Sequence, residues 1–224
     1  MFISERLLSI LESRRFVYQL LQQVFETSLD RELLLNGKDQ LPFEFLSELS
    51  KGGSNLSLFF ASIDETNVDQ LAKQEREEFQ RLFIGPNELP VHPWESVYRG
   101  HEKMLFDETT FLFRNKLHSF GLKYVKENNE PEDHISIQLS FMAYLIERQI
   151  EALQADDETS FLKMIDSQYA VLDEHLTQWV YEFTTDLLDA TNSLLYRGAA
   201  QLLRDFIKED TTYVTEVKGV SKYE

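Results

Sequence analysis

The densest run of side chains able to do chemistry is Glu130-Pro131-Glu132-Asp133-His134. A histidine beside carboxylates can accept or donate a proton near neutral pH, which makes the run a candidate charged hinge or site. The same residues also read as a helix start. Glu130 then stands near the N-cap, Pro131 at the first helical position, and the acids face the positive end of the dipole. Consecutive carboxylates do not converge from one helical face, which argues against a metal centre here. The second candidate is Trp94, which follows Pro93 in residues 86–94, PNELPVHPW. Three of the five prolines lie in that stretch, and a stiff loop loses little entropy on docking. Trp94 therefore reads either as a peptide-recognition side chain or as a core plug that holds the loop. Trp179 falls on a helical apolar stripe and reads as core.

Many chemistries are refused outright. There is no dinucleotide fingerprint, no P-loop and no G-x-S-x-G elbow. None of the five histidines has a Glu three residues before it, so the di-iron motif of ferritin-like bundles is missing. The chain has no cysteine, hence no disulfide, thiolate zinc site, iron–sulfur cluster or cysteine nucleophile. With 22 Lys+Arg against 39 Asp+Glu in 224 residues, the net charge of −17 disfavours nucleic acid and anionic membrane surfaces as partners. Charge is unevenly spread. Between Arg148 and Arg197 the only base is Lys163 among a run of acids, which reads as a solvated face or as a surface that steers a basic peptide.

The elements that must position these groups read as helices. Eight glycines and five prolines are too few for a turn-rich sandwich or barrel. Apolar residues recur at helical spacing over Leu7–Phe25, with Ser4 as its N-cap, and a short helix opens at Pro42. Gly52-Gly53-Ser54-Asn55 reads as a loop. Asn67 is expected to cap a helix that ends at Gly85-Pro86, and a further helix runs from Thr109 to Gly121. A polar break at 126–131 could act as a hinge. Beyond it, helices are expected over about 131–153, 158–175, 177–190 and 192–208. The expectation is an all-α, compact, bundle-like domain of eight to ten helices over 1–208, followed by a loose polar tail at 209–224.

The N-terminal MFISERLLSILESRRF carries Glu5 and Glu12 inside its apolar run, so it is not expected to be a secretory or transit signal. No apolar stretch reaches the roughly 20 residues needed to span a bilayer. Ser13-Arg14-Arg15-Phe16 looks like part of a twin-arginine signal, but Glu26 and Asp30 interrupt the segment C-terminal to it. Arg14 and Arg15 read as a solvated face, or as rare positive charges with a role of their own.

At the loop and hinge the residues become specific. Leu82-Phe83-Ile84-Gly85-Pro86-x-x-Leu89-Pro90-x-x-Pro93-Trp94-Glu95-Ser96-Val97-Tyr98, followed by Asn129-Glu130-Pro131-Glu132-Asp133-His134, closely resembles the TorD/DmsD family of redox-enzyme maturation chaperones, related to NarJ. His175-Leu176-x-x-Trp179 and Leu195-Tyr196-x-x-Ala199-x-x-Leu202-Leu203 resemble its C-terminal pattern, and the likeness covers about residues 10–207. One departure is His92, where many members carry a second proline.

The resemblance implies an all-helical cytoplasmic chaperone, without enzymatic activity or cofactor, monomeric or a domain-swapped dimer. It would bind the twin-arginine leader and immature body of a molybdenum reductase and hold it back from export. Carried over by position, the leader-binding residues would be Leu82, Phe83, Gly85, Pro86, Pro93, Trp94, Glu95 and Tyr98 from the loop. Glu130, Pro131, Asp133 and His134 would come from the hinge, with Arg15 and Tyr18 as a weaker match. A cationic leader with an apolar stretch asks for acids at one end of a groove and apolar walls along it. Glu95, Glu130 and Asp133 are expected to supply the acids, and Leu82, Phe83 and Trp94 the walls. Replacing Trp94 or Asp133 by Ala is then expected to weaken binding with the fold intact. Two other readings are a hydrolase or metal enzyme built on Glu130, Asp133 and His134, and a helical adaptor that binds a basic partner through the acidic face at 151–189.

Overall fold

In a computed structural model, the structure describes residues 2–86, 88–100, 105–127 and 130–220. Among these the chain is all-α. Eleven α-helices and two π-helical turns join into ten continuous helical stretches, and the one β-type feature is an isolated bridge between Trp94 and His134. No helix among the described residues is long and apolar enough to cross a membrane. The chain divides into two compact units, one of residues 1–23, 94–179 and 207–224 and the other of residues 24–93 and 180–206.

In the first unit, α1 (Phe2–Glu26) contributes all but its last three residues, with Leu11, Val17 and Tyr18 buried. It begins before Ser4, whose side chain lies outside the described residues. The short helix α6 (Glu95–Arg99) and α7 (Glu108–Ser119) follow. Then comes α8 (Ile135–Gln154), with its stripe of Ile135, Leu139, Met142, Leu145, Ile146 and Ile150 in the core. At 20 residues α8 is about 30 Å long. A tight turn returns the chain into α9 (Glu158–Val171), where the Asp157 carboxylate accepts from the Ser160 amide at 3.0 Å as the N-cap.

The helix expected to start at Pro131 starts instead at Ile135, with His134 as N-cap. The reason is competition for backbone. The Asp133 carbonyl accepts from the Glu95 amide at 3.2 Å, and the Trp94–His134 bridge keeps this stretch extended. Asn128 and Asn129, inside the expected break, lie outside the described residues.

The expected loose tail is also corrected over 209–220, because α11 (Leu194–Val220) continues there; residues 221–224 lie outside the described residues. Asp210 and Val214 are buried there, and Arg14 donates from Nη2 to Asp210 at 3.0 Å and to Gln168 at 2.8 Å. The Tyr18 hydroxyl donates to Asp210 at 2.6 Å. Burial and this carboxylate hold that hydroxyl well above the ordinary tyrosine range. Polar residues read as a tail are thus the outer face of a helix whose inner face carries the partner Arg14 needs. Arg14 is not a solvated arginine: it is 6% exposed.

In the second unit, α2 (Arg31–Gln40) is capped by Asp30, which accepts from the Leu33 amide at 2.9 Å. Helix α3 (Phe43–Leu49) packs on α4 (Lys51–Ala61), and α4 contains the glycine pair expected as a loop. A Cβ at Gly53 would stand 1.7 Å from the Leu46 carbonyl oxygen, and one at Gly52 would stand 2.2 Å from the Leu202 amide nitrogen. The pair marks two close backbone approaches, not a turn. Helix α5 (Val68–Phe79) begins at Asn67 as expected, but the Asn67 side chain makes no cap bond; its amide oxygen accepts from the Asp64 backbone instead. The core here is aromatic: Phe83 meets Phe25, Phe79 and Tyr196 edge-on at 6.3, 5.3 and 5.9 Å. Such pairs add about 0.5–1.5 kcal/mol each beyond area burial. The unit also holds most of α10 (Thr177–Ala190) and the first half of α11.

Candidate functional site

Helix α6 is only five residues long, too short to persist alone, so its position depends on side-chain partners. Glu95 supplies them. Its carboxylate is fully buried, pairs with Arg99 one turn on, and accepts from Gln138 at 2.6 Å and from His175 Nδ1 at 2.9 Å. Gln138 in turn accepts from the Trp179 indole N–H at 3.1 Å. Asp133, also fully buried, accepts from the Ser96 amide at 2.6 Å and the Thr110 hydroxyl at 2.8 Å. Burial raises its pKa and these bonds oppose the rise. Beside it Glu132, 1% exposed, holds Arg114 through two bonds of 2.9 Å. Each of these carboxylates is met by at least two donors, which is how a buried polar network rigidifies its surroundings.

What the network presents is aromatic. Trp94 and His134 meet edge-on with ring centres 5.5 Å apart, and Tyr98 packs at 5.5 Å on the buried Trp179. Trp94, Tyr98 and His134 are half-buried, and Glu130 is exposed. His134 Nδ1 accepts from the Ser136 amide at 3.1 Å, and burial lowers the ring's pKa to about 4 against the opposing pull of Glu130. Hydrogen bonds from Lys126 and Tyr124, at 2.8 Å each, keep Glu130 ionised and its pKa below the usual range.

The other half of the loop belongs to the second unit. Leu82 and Phe83 lie on a π-helical turn (Gln80–Ile84) that continues α5, and both are buried in the aromatic core. Gly85 ends the turn at φ 95°, a conformation that excludes most side chains. Gly85 and the exposed Pro86 line a cleft of about 500 Å³ together with Glu77, Arg81 and Glu88. A second π-helical turn, Leu172–Leu176 in the first unit, carries His175 to Glu95. π-turns are rare and concentrate at functional sites, and here both coincide with motif residues.

Residues 47–185 match the nitrate reductase delta subunit family. The chain belongs to this family. Individual relatives carry the names the resemblance led to. The Tat proofreading chaperone DmsD of Salmonella typhimurium is 33% identical over 128 residues, and its Haemophilus influenzae counterpart 36% identical over 126. Both matches cover 56% of this chain and 55% of the relative, so the chain spans little more than half the length of those proteins. The chaperone protein TorD of Shewanella pealeana is 22% identical over 211 residues, 90% of this chain and 89% of its own. A crystal structure assigned to a redox enzyme maturation protein of Archaeoglobus fulgidus shares the fold with TM-score 0.54 and 21% identity, over 87% of this chain and 93% of that one.

Set against the TorD/DmsD motif, the structure sorts the expected site residues into two kinds. Trp94, Tyr98, Glu130, His134, Gly85 and Pro86 reach the surface. Leu82, Phe83, Pro93, Glu95, Pro131 and Asp133 are buried. Glu95 and Asp133, expected as acids for a cationic ligand, have every described oxygen turned to an internal donor. Tyr18 and Arg15 are engaged elsewhere, with Asp210 and Glu147. The reading of residues alone missed Gln138, Thr110 and Arg114. Gln138 stands one turn after His134 on the buried face of α8, and a buried amide there was the available signal.

Proposed function

We propose that the protein is a cytoplasmic, non-enzymatic chaperone that binds the twin-arginine leader and apo body of a molybdenum oxidoreductase and delays its export. The observation that carries this reading is the half-buried aromatic set Trp94, Tyr98 and His134, set beside a buried hydrogen-bond network that joins the motif residues Glu95, His175 and Trp179 through Gln138. Rigid aromatics lose little entropy on binding a peptide and offer both apolar faces and polar edges. In this reading Trp94, Tyr98 and His134 contact the apolar stretch of the leader, and exposed Glu130 meets its cationic end. Gly85 and Pro86, in the second unit, belong to the same sequence motif. Glu95 and Asp133 act as positioning residues beneath these contacts, whereas Leu82 and Phe83 are core of the second unit. No bound cofactor is needed, since the ligand is recognised by surface complementarity alone.

Calorimetric titration with a synthetic twin-arginine leader peptide tests the assignment. Trp94→Ala is expected to weaken binding at least tenfold with unchanged helicity by circular dichroism, and Glu130→Gln by a smaller, salt-sensitive factor. Equal affinity of the wild type and Trp94→Ala for the leader would sink it.

A further inference from the structure

At the far end of α8 from His134, about 30 Å along the helix axis, the turn into α9 borders a groove of about 330 Å³. Its walls are Leu7 of α1, Leu153 of α8, and Phe161 and Leu162 of α9, all half-buried. Asp156, Asp157 and Glu158 form one rim and are exposed, and neither Lys nor Arg lines the groove. Asp157 is occupied by Ser160, with its second oxygen accepting from the Ser160 hydroxyl at 2.6 Å. No described residue pairs with the carboxylates of Asp156 and Glu158.

We propose that this groove docks a basic amphipathic helix of a partner protein, distinct from the leader. An open apolar trough of this size suits two or three Leu- or Phe-sized side chains spaced i, i+3/i+4, i+7 along one helical face. Charge decides the flank: a helix with Lys or Arg beside its apolar stripe meets the Asp156/Glu158 rim, whereas an acidic helix would set like charges against it. The wall-only chemistry excludes phosphate and nucleic acid, which need cationic donors. The bare acids also distinguish this rim from Glu95, Glu132 and Asp133, whose charges are already answered inside the protein.

The probe is a fluorescein-labelled peptide of about 15 residues, helical, with Leu at one face and Lys on its flanks, read by anisotropy against the 224-residue chain. Wild type is expected to bind it and to ignore the same peptide with Glu replacing Lys. Asp156→Lys combined with Glu158→Lys, both exposed positions, is expected to weaken binding at least tenfold, and Leu162→Ser about fivefold. Trp94→Ala is expected to leave it unchanged, and excess twin-arginine leader is expected not to displace it. Hydrogen–deuterium exchange should slow at 152–162 when the peptide is bound. The proposal is overturned by no binding, by full affinity in the double charge reversal, or by displacement with the leader. A dimer in sedimentation equilibrium that the charge reversal dissociates would overturn it too, by giving the groove to a second copy of this chain.

Discussion

Two acidic runs flank α8, and they have opposite fates. Before it, Glu132 and Asp133 are 1% and 0% exposed; after it, Asp156, Asp157 and Glu158 all face solvent. Composition does not separate them. Donors do: Arg114, the Thr110 hydroxyl and the Ser96 amide converge on the first run from α6 and α7, which lie far away in sequence. For the second run the described donors are local, the Ser160 amide and hydroxyl on Asp157. An acid surrounded by distant donors is part of the architecture, and an acid without them is available to a ligand. The site expected from the family motif therefore holds its carboxylates mostly as scaffold.

The rule reaches beyond α8, and the largest effect lies at Asp210. It too is buried and answered by distant donors, Arg14 and Tyr18. Asp210→Ala leaves Arg14 buried without its countercharge and is expected to cost about 3–5 kcal/mol in urea unfolding. A loss under about 1 kcal/mol would break the rule. Next comes Asp133→Ala, which strands the Ser96 amide and the Thr110 hydroxyl. The expected cost is about 2–4 kcal/mol. This reverses the fold-neutral outcome expected from the sequence, so any loss of leader binding in Asp133→Ala must be read together with its melting curve.

That reversal marks where the sequence stops being legible. The all-helical class and the α8 stripe were readable because helical period is local, and the motif residues that fall on the π-turns were singled out only through the family resemblance. Gly52-Gly53 was misread because its cause, the approach of the Leu46 and Leu202 backbones, is tertiary. Residues 209–220 were misread because a helix with one buried acid and one buried valine looks polar without its partner Arg14. The same holds for Glu95 and Asp133. Their residue type announced chemistry, but only the fold shows that the donors come from inside.

His134 gives a pH-dependent test of intermediate size at the boundary of the buried run. Unfolded, its imidazole binds a proton below about 6.5; folded, burial delays this to about 4. Between those values the unfolded state holds the extra proton, so the stability tied to His134 is complete above about 6.5 and is lost as pH falls toward 4. Screening of the half-exposed ring limits the effect to about 1–2 kcal/mol. Asp133 works in the opposite sense: with its pKa raised, the stability tied to its proton declines as pH climbs from 3.8. His134→Asn keeps an N-cap for α8 and is expected to flatten the slope between pH 6.5 and 4 in unfolding experiments, with little change at pH 8.

The smallest effects fall inside the exposed run, where they separate folding from ligand-directed charge. Asp157→Ala removes the N-cap of α9 and should cost about 1 kcal/mol. Asp156 sits at φ 52°, in the left-handed region that glycine enters without strain. Asp156→Gly is therefore expected to leave stability unchanged or raise it by about 0.5 kcal/mol in thermal unfolding. If Asp156→Gly instead destabilises by more than about 1 kcal/mol, its carboxylate serves the fold after all. The contrast between the two ends of α8 would then collapse, because both runs would be architectural. A stability gain paired with weaker peptide binding in the groove would show the reverse, a charge kept at a strained position for a ligand and not for the fold.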